Sequence, residues 1–338
     1  MTGELLFLAH RVPFPPDRGD KIRSHHILKA LTRLAPVHVG TLGETDSDMA
    51  QVGELERIAA SHCLVRRKTS LALPGLEALA SRRPVSLTAF HDATLARWVR
   101  QLCQRRPIGA IYVFSGQMGQ YVPDGFAGRV VTDLVDVDSL KFEAYADDAS
   151  FPKSVLYRRE ARLLAREEAR LVDRSHATLL VSEAEADLLR GRVTAGAPIR
   201  ALGNGIDTSI FDPDRTTPHA QLAGSTGPHL VFTGQMDYPP NIAAARRAIQ
   251  SILPAIRAAH PGATLHIVGR APTAELLVHD GKDGVRVWGE VPDMRHFLAA
   301  ADLVLVPLML ARGVQNKVLE AMAMARPVLA SEGAATGI

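Results

Sequence analysis

Short apolar segments alternate with longer amphipathic segments along most of the chain, and this alternation restricts the possible folds more than any other feature. Strands that alternate with helices are typical of a parallel sheet that helices cover on both faces. The segments that we predict as strands are Leu5–Ala9, Val37–Leu42, Ala110–Ser115, Arg129–Val137, Ala177–Ser182, His229–Gly234, Thr264–Gly269, Val285–Val291, Leu303–Leu308 and Pro327–Ser331. The sequence therefore predicts the α/β fold class.

The length of the chain and one turn-rich segment indicate two domains. A chain of 338 residues is too long for a single modest core. The segment PIRALGNGID (Pro198–Asp207) contains an Asn-Gly turn and separates two series of strands. We therefore predict two doubly wound, Rossmann-like domains, residues 1–197 and 198–338, that face each other across a cleft. Ligands of such folds bind beyond the carboxyl ends of the strands.

Composition argues against several classes of protein. The net charge is only +3, from 39 basic and 36 acidic residues, and no aromatic residues are interleaved with basic ones, so nucleic acid is not an expected partner. Cys63 and Cys103 are too far apart for a zinc motif or a disulfide framework, which fits a reducing cytoplasm and predicts no metal site. No apolar run approaches the length of a membrane span, so any membrane contact would be peripheral.

The loop after the first predicted strand has the residues to bind an anion. In PPDRGDK (Pro15–Lys21), Gly19 allows close approach of the backbone at the start of a predicted helix. Lys21 and Arg23 add positive charge there. The alternative is a tight turn in which Asp20 caps the helix.

A similar loop follows the first strand of the second series. In FTGQMDYPPN (Phe232–Asn241), Gly234 ends the strand, and two prolines preset the first turn of a helix that we expect to continue to about Ala259. The alternative is that Asp237 and the prolines only form a turn.

The segment NKVLEAMAMARPVLAS (Asn316–Ser331) carries the strongest signal. Lys317 can neutralise a diphosphate as a compact charge, and Glu320, one helical turn later, can accept both hydroxyls of a ribose. Gly313 lies in the loop before them. The alternative is a surface ion pair between Lys317 and Glu320. We favour a binding site, because three helix starts able to bind anions follow strands of two domains that are predicted to face each other.

The order of these segments resembles the family 4 retaining glycosyltransferases of the two-domain GT-B architecture. The segments that carry the resemblance are LGNGID, FTGQMDYPPN, LHIVGR, VRVWGEVPDM, ADLVLVPL and GVQNKVLEAMAMARPVLAS. The first half resembles the sugar transferases of PEP-CTERM/exosortase-linked exopolysaccharide clusters, through PFPPDRGDKIRSHHILKAL and DLVDVDSLKFEAYA. The resemblance implies transfer of a sugar from a nucleotide sugar to a glycan or lipid-linked acceptor, with no further cofactor and no bound metal.

The resemblance also implies roles for individual residues of the donor site. Gly19 and Gly234 would let backbone amides meet the donor diphosphate. Lys317 would pair with that diphosphate, and Glu320 would hold the ribose.

Four further residues receive roles from the same resemblance. Arg270 and Val287, at strand ends of the second domain, would flank the nucleotide base. Asp136 and Asp138 would face the transferred sugar or the acceptor hydroxyl and are, with Lys317, the catalytic candidates. The alternative for Asp138 is that it caps the helix that follows.

The chain also departs from the family pattern. The family often has two glutamates spaced E-x7-E, but Arg312 stands eight residues before Glu320. Gln235 stands where an arginine is often found, and Lys317 and Arg312 are the residues able to compensate. Family members continue beyond the PVLAS strand, so we expect the C-terminal domain, which stops at Ile338, to be incomplete.

The leading hypothesis is therefore a cytoplasmic, metal-independent retaining glycosyltransferase of exopolysaccharide or cell-surface polysaccharide synthesis. The alternatives are a non-catalytic nucleotide-sugar-binding or scaffold protein and a GT-B sugar-nucleotide epimerase. A dehydrogenase is not expected, because no G-x-G-x-x-G follows the first strand. The basic helix predicted over Val155–Arg174 leaves open a weak contact with anionic lipids, although most such helices are simply solvated.

Overall fold

The computed structural model describes residues 3–338 except 17, 68–82, 195, 197 and 310–313. The chain divides into two compact units, and the division lies between Gly203 and Asn204. The boundary predicted after residue 197 lies a few residues before this division.

The first unit is built around one parallel sheet. Its described strands are β1 (Glu4–Ala9), β2 (Val37–Gly43), β3 (Ser61–Arg66), β4 (Ile108–Phe114), β5 (Arg129–Val135), β6 (Ala177–Leu180) and β7 (Ile199–Ala201). They lie in the order β3-β2-β1-β4-β5-β6-β7, and every neighbouring pair is parallel. The strand order reverses between β1 and β4, which is where ligands of doubly wound sheets bind.

The apolar run of β1 is buried on both sides. Leu6 and Leu8 belong to one core cluster, whereas Leu5, Phe7 and Ala9 belong to another. Successive side chains of a strand point to opposite faces, so both faces of this sheet are covered. The described helices of the unit are Gly19–Thr32, Asp46–Met49, Val52–Ile58, Val85–Thr88, Ala93–Arg105, Asp138–Asp148, Lys153–Arg174 and Glu183–Arg190.

The second unit contains a smaller parallel sheet. Its described strands are β8 (His229–Thr233), β9 (Thr264–Val268), β10 (Val285–Gly289), β11 (Leu303–Val306) and β12 (Val328–Ala330). They lie in the order β10-β9-β8-β11-β12, again with parallel neighbours, and the order reverses between β8 and β11. The described helices are Ala220–Ala223, Pro239–Arg247, Leu253–Ala259, Ala274–Leu277, Arg295–Ala300 and Asn316–Ala323. These two sheets confirm the predicted α/β fold class.

The helix that was expected to continue to Ala259 is not a regular α-helix throughout, because its middle is π-helical. An α-helix over Pro239–Arg247 passes through the π-helical residues Ala248–Ile252 into a second α-helix over Leu253–Ala259. Pro254 has no backbone N–H and cannot continue a regular α-helical hydrogen-bond pattern. The π-helical turn lies immediately before it and accommodates this interruption. Across all the residues described in both units, no helix is long and apolar enough to cross a membrane.

Two strands of the first sheet were not predicted as such. Ile199–Ala201 was assigned to the second domain, but it pairs with β6 and therefore belongs to the first unit. It is a three-residue edge strand, half-buried at Ile199 and exposed at its other two residues, so it has no continuous apolar run. β3 was missed for a related reason, because Ser61–Arg66 is only half-buried and ends on an exposed arginine.

Candidate functional site

Two glycines directly follow β8 and β9, near the point where the strand order of the second sheet reverses, and leave the backbone there without side chains. Gly234 and Gly269 have φ angles of +154° and +150°, which side chains rarely allow. A β-carbon on Gly269 would lie 1.6 Å from the Gly234 carbonyl oxygen. A β-carbon on Gly234 would lie 2.9 Å from Asn241 Nδ2 and 3.0 Å from Lys317 Nζ. The glycine therefore leaves the space that the lysine head group and the amide occupy.

Two direct contacts and one supporting hydrogen bond hold Lys317 at this strand end. It is the second residue of the Asn316–Ala323 helix, and its Nζ donates to Asn241 Oδ1 at 2.8 Å. Asn241 Nδ2 in turn donates to the Gln235 carbonyl oxygen at 2.9 Å. The ammonium also lies 4.7 Å from the centroid of the Phe232 ring. The Lys317 cation, on the helix after β11, is thus fixed beside Gly234 by Phe232 of β8 and by Asn241 of the helix after β8.

The electrostatic state of Lys317 and Glu320 differs from that of an exposed pair. Burial lowers the pKa of Lys317 to about 8, although Glu320 opposes this shift. Burial raises the pKa of Glu320 to about 7, and Lys317 opposes it in turn. The structure describes both residues and places no ion pair between them, so the alternative of an (i, i+3) surface ion pair is wrong. The described partners of the ammonium are therefore the Asn241 side-chain oxygen and the Phe232 ring.

A second cation lies at the same edge of the sheet. Arg270 follows β9, and its Nη2 donates to Gln235 Oε1 at 3.0 Å. The residue that stands in place of the family arginine therefore positions another arginine instead.

The other predicted residues of the second unit are less informative. Val287 lies within β10, its backbone N–H donates to Asp280 Oδ1 at 2.9 Å, and its side chain packs against the core of the unit. Gly313 and Arg312 lie outside the described residues.

In the first unit, the loop after β1 leads to a helix start that carries no side-chain cap. Gly19 is exposed and is the first residue of its helix, and the preceding Arg18 makes no capping hydrogen bond. Asp20 is the second residue of the helix and does not occupy the N-cap position; its Oδ2 pairs with Arg11 at 2.7 Å and its Oδ1 accepts from the Lys21 backbone N–H at 3.0 Å. Gly19 remains a candidate for backbone contact with an anion.

The expectation that Lys21 and Arg23 supply charge to an anion is wrong. Lys21 is buried and pairs with Asp48 at 2.7 Å. Arg23 is buried against Asp133, with an Nη2 to Oδ2 distance of 2.9 Å, and its Nη1 donates to the Leu202 carbonyl oxygen at 2.6 Å. Both cations are engaged inside the unit, because their helix packs them against acidic residues.

Asp136 follows a strained turn at the end of β5. Val135 has a φ angle of +70°, a genuine outlier for a β-branched residue, and Asp136 N donates to the Leu134 carbonyl oxygen at 2.9 Å. Asp136 Oδ1 is buried without a hydrogen-bond partner. Burial, assisted by the nearby carboxylates of Glu185 and Asp138, raises the pKa of Asp136 to about 6. Such strain is typical of functional sites, where the surrounding structure maintains it.

Asp138 begins the helix after this turn but does not cap it with a hydrogen bond. Its Oδ2 accepts from Gln117 Nε2 at 3.1 Å, and Lys141 lies 3.8 Å away. The capping interpretation of Asp138 is therefore not supported, since the N-cap position belongs to Val137 and the first-turn N–H of Ser139 donates to Glu168 Oε1 at 2.9 Å.

Sequence reasoning missed three residues at these strand ends. Asn241 and Phe232 hold Lys317. Both lie in the segment FTGQMDYPPN, but neither of them was assigned a role from the sequence. His10 follows β1, stacks on Phe114 with ring centroids 5.8 Å apart, and has a buried Nδ1 without a partner. The available signal for His10 was its position, directly after the first strand at the point where the strand order reverses.

A metal site is not evident among these groups. In the part of the chain that the structure describes, no cluster of three or more histidine, cysteine, aspartate or glutamate side chains is arranged to hold a metal ion.

Each unit contains a doubly wound parallel sheet, and the second unit places a glycine and a lysine at its switch point. Residues 227–338 match the family model described as glycosyl transferases group 1. Comparison with curated protein sequences found no match. The similarity to this family therefore lies within the second unit.

Solved structures match the whole chain. HepE from Anabaena, crystallised with UDP and glucose, is 18% identical with a TM-score of 0.64, over 98% of this chain and 82% of its own. Sucrose-phosphate synthase from Thermosynechococcus elongatus is 17% identical with a TM-score of 0.63, over 98% of this chain and 81% of its own. WaaG, a glycosyltransferase involved in lipopolysaccharide biosynthesis, is 18% identical with a TM-score of 0.61, over 98% and 82%. At this identity the likeness establishes the fold, which is GT-B.

Proposed function

We propose that the protein is a glycosyltransferase that moves a sugar from a nucleotide diphosphate sugar to a glycan or lipid-linked acceptor. The observation that carries this proposal is the Lys317 ammonium beside Gly234, at the reversal point of a sheet whose domain matches the glycosyltransferase group 1 family. A cation without a carboxylate partner at this position fits an anionic ligand.

The donor diphosphate would bind at the start of the Pro239–Arg247 helix. The Gly234 backbone lies open there, the helix N-terminus offers backbone N–H groups and a partial positive charge, and Lys317 adds a full charge. Glu320 would accept the ribose hydroxyls. Arg270, positioned by Gln235, adds charge at the adjacent strand end.

Catalysis would be mainly electrostatic. As the bond between the sugar and the diphosphate breaks, negative charge accumulates on the departing phosphate, and Lys317 with the backbone amides would stabilise it. We propose that Asp136 and Asp138 act on the transferred sugar or on the acceptor hydroxyl. Lys317, Arg270 and the helix N-terminus would supply the positive charge that transfer requires, so we propose a metal-independent reaction.

The finer assignments are part of the same proposal. We propose that the anomeric configuration is retained, as in the family 4 enzymes that the sequence resembles. We propose a role in exopolysaccharide or cell-surface polysaccharide synthesis at the cytoplasmic face of a membrane, where nucleotide sugars and lipid-linked acceptors meet. Because HepE has been crystallised with UDP and with UDP-glucose, uridine diphosphate sugars are the first donors to test.

A thermal-shift series tests the donor site. A ligand that binds only the folded protein stabilises it by about 2.7 kcal/mol at a hundred times its Kd. We expect nucleoside diphosphates and their sugars to raise the Tm, nucleosides to have little effect, and Lys317→Ala to abolish the shift. No stabilisation by any nucleoside diphosphate would contradict the proposal.

A non-catalytic binding protein is the second candidate, because Arg312 stands where the family often has a first glutamate. Donor binding without hydrolysis or transfer above background would favour it. An epimerase would convert the donor in the absence of any acceptor, and product analysis by NMR distinguishes this activity.

A further inference from the structure

Two consecutive helices of the first unit form a hairpin whose tip exposes apolar side chains. The Asp138–Asp148 and Lys153–Arg174 helices pack against each other and are joined by residues 149–152. Phe151 in this connection is 82% exposed, the highest value among the large hydrophobic residues of the described chain. Tyr145, Val155 and Leu156 beside it are also exposed. Single exposed apolar residues are common, but four at one tip indicate an interaction surface.

Three arginines continue from this tip along one face of the longer helix. Arg158, Arg162 and Arg166 follow Val155 at intervals of three, seven and eleven residues, so all four side chains share the exposed face. Like charges one helical turn apart repel each other. No ion pair or hydrogen bond of these three guanidinium groups is present among the described residues.

Nearby arginines behave differently. Arg170 pairs with Glu167, and Arg192 pairs with Glu143. The three exposed arginines, together with Arg192, line a groove of about 580 Å³. Charge therefore accumulates on this face without compensation within the unit, and an anionic partner would complement it.

We infer that this hairpin surface, defined as Tyr145, Phe151, Val155, Leu156, Arg158, Arg162 and Arg166, docks on a lipid bilayer that contains anionic lipids. Apolar side chains at the tip enter the headgroup region, and the arginines contact lipid phosphates. Tyr145 and Tyr157 pack with Phe142 at centroid distances of 5.8–6.0 Å, and tyrosine is enriched at such interfaces. Asp147 and Asp148, exposed at the end of the shorter helix, limit the contact to the tip and the arginine face.

Vesicle co-sedimentation of the full chain tests this inference. The vesicles are phosphatidylcholine alone and phosphatidylcholine with phosphatidylglycerol. One variant, Arg158→Gln/Arg162→Gln/Arg166→Gln, removes the charges, and a second, Phe151→Ser/Val155→Ser, removes apolar area. The matched control is Arg97→Gln/Arg100→Gln/Arg105→Gln, which removes equal charge from exposed residues of the Ala93–Arg105 helix.

The native chain should bind only the vesicles that contain phosphatidylglycerol, and less tightly at high salt. The charge variant should bind on the order of a hundredfold more weakly, because each basic residue near an anionic surface contributes about a factor of five. The apolar variant should bind at least about tenfold more weakly. The control should bind within about twofold of the native chain.

Three results would overturn the inference. The first is no binding of the native chain to anionic vesicles. The second is an equal loss in the control, which would indicate a general charge effect. The third is full vesicle binding by the apolar variant, which would show that the apolar tip does not take part in the contact. The inference does not depend on the donor site, so stabilisation by UDP should be unchanged in all variants and separates this test from that of the proposed function.

Discussion

At the scale of single residues, Lys317 is the side chain on which the proposed activity depends most. Lys317→Ala should lower kcat on the order of 10²–10³-fold, because one preorganised charge at the departing diphosphate is lost. Lys317→Arg should recover little, since the larger guanidinium does not fit between Asn241 and Gly234. The matched control is Lys282→Ala, an exposed lysine of the same unit. Steady-state kinetics with a nucleotide sugar measure both, and normal turnover of Lys317→Ala would remove the residue from the mechanism.

The shifted pKa values of Lys317 and Glu320 predict a narrow pH optimum. Lys317 is charged below about pH 8, and Glu320 is ionised above about pH 7. The kcat/KM for the donor should therefore decline on both sides of this window, with apparent pKa values that belong to the coupled pair. In Glu320→Gln the acid limb should disappear while the alkaline limb remains. A flat profile between pH 6 and 9 in the native chain would argue against both assignments.

Asp136 allows a test of whether its strained position serves function or folding. Its folded-state pKa of about 6 lies above the ordinary value, so its ionisation destabilises the folded protein as the pH rises through this range. Asp136→Asn should therefore raise stability at pH 8 by about 1–2 kcal/mol, a discounted share of the shift because the residue is only half-buried. It should also reduce transfer. Denaturant unfolding at pH 5 and pH 8 measures the first effect, and an Asp136→Asn protein that is less stable at pH 8 would contradict it.

At the scale of elements, the turn after β8 depends on the absence of a side chain. Gly234→Ala would bring a β-carbon to about van der Waals overlap with Asn241 and Lys317 at a φ of +154°. We expect this variant to lose the thermal shift with UDP while remaining folded. The control is Gly53→Ala, in the Val52–Ile58 helix, where nothing lies within 4 Å of the added β-carbon. That change should stabilise the protein by about 0.5–1 kcal/mol. A normal UDP response in Gly234→Ala would remove this turn from the donor site.

The elements that could be predicted from sequence are those with continuous apolar runs. Both faces of β1 are buried, and its run of leucine and phenylalanine was sufficient to identify it. β7 and β3 lie partly exposed near sheet edges, so their sequences carry little apolar pattern. Ile199–Ala201 could be placed only once its pairing with β6 was known.

The candidate site was predictable to a smaller degree. A glycine at a strand end and a lysine at a helix start indicated Gly234 and Lys317, and in the structure a β-carbon on Gly234 would lie 3.0 Å from Lys317 Nζ. The supporting contacts of Asn241 and Phe232 depend on the order β8-β11 in the sheet, which no local pattern encodes. The same limitation applies to Lys21 and Arg23, whose charges seemed available until their acidic partners on other elements were known.

At the scale of the whole molecule, the second unit should be the more sensitive to acid. Burial, assisted by His229 and Arg286, lowers the pKa of His266 to about 4. Trp288 Nε1 donates to His266 Nδ1 at 3.1 Å. A proton on that nitrogen would place two N–H groups against each other and break the hydrogen bond. Because the unfolded chain takes up this proton more readily, the contribution of His266 to stability is complete above about pH 6.5 and is lost as the pH falls towards 4, by up to about 3 kcal/mol, while the raised pKa of Glu320 acts in the opposite direction.

Differential scanning calorimetry between pH 7 and pH 4 measures this effect. Two units of this kind can unfold in separate transitions, and the one that contains His266 should shift to lower temperature. His266→Gln should reduce the pH dependence of that transition. The His38→Gln variant, in the first unit, serves as the comparison. Equal acid sensitivity of both transitions in the native chain would show that His266 is not responsible.

The pairing of β1 with β4 has a consequence for synthesis of the protein. Leu5 pairs with Ala110, so the ribosome must add about a hundred residues before this neighbour emerges. At about 5–20 residues per second, the wait is roughly 5–20 s. During this interval β1 and β2 exist with one unpaired apolar edge, which is the kind of surface on which nascent chains associate. Chaperone occupancy of translating ribosomes should therefore be highest after β2 has emerged from the ribosome and before β4 has emerged.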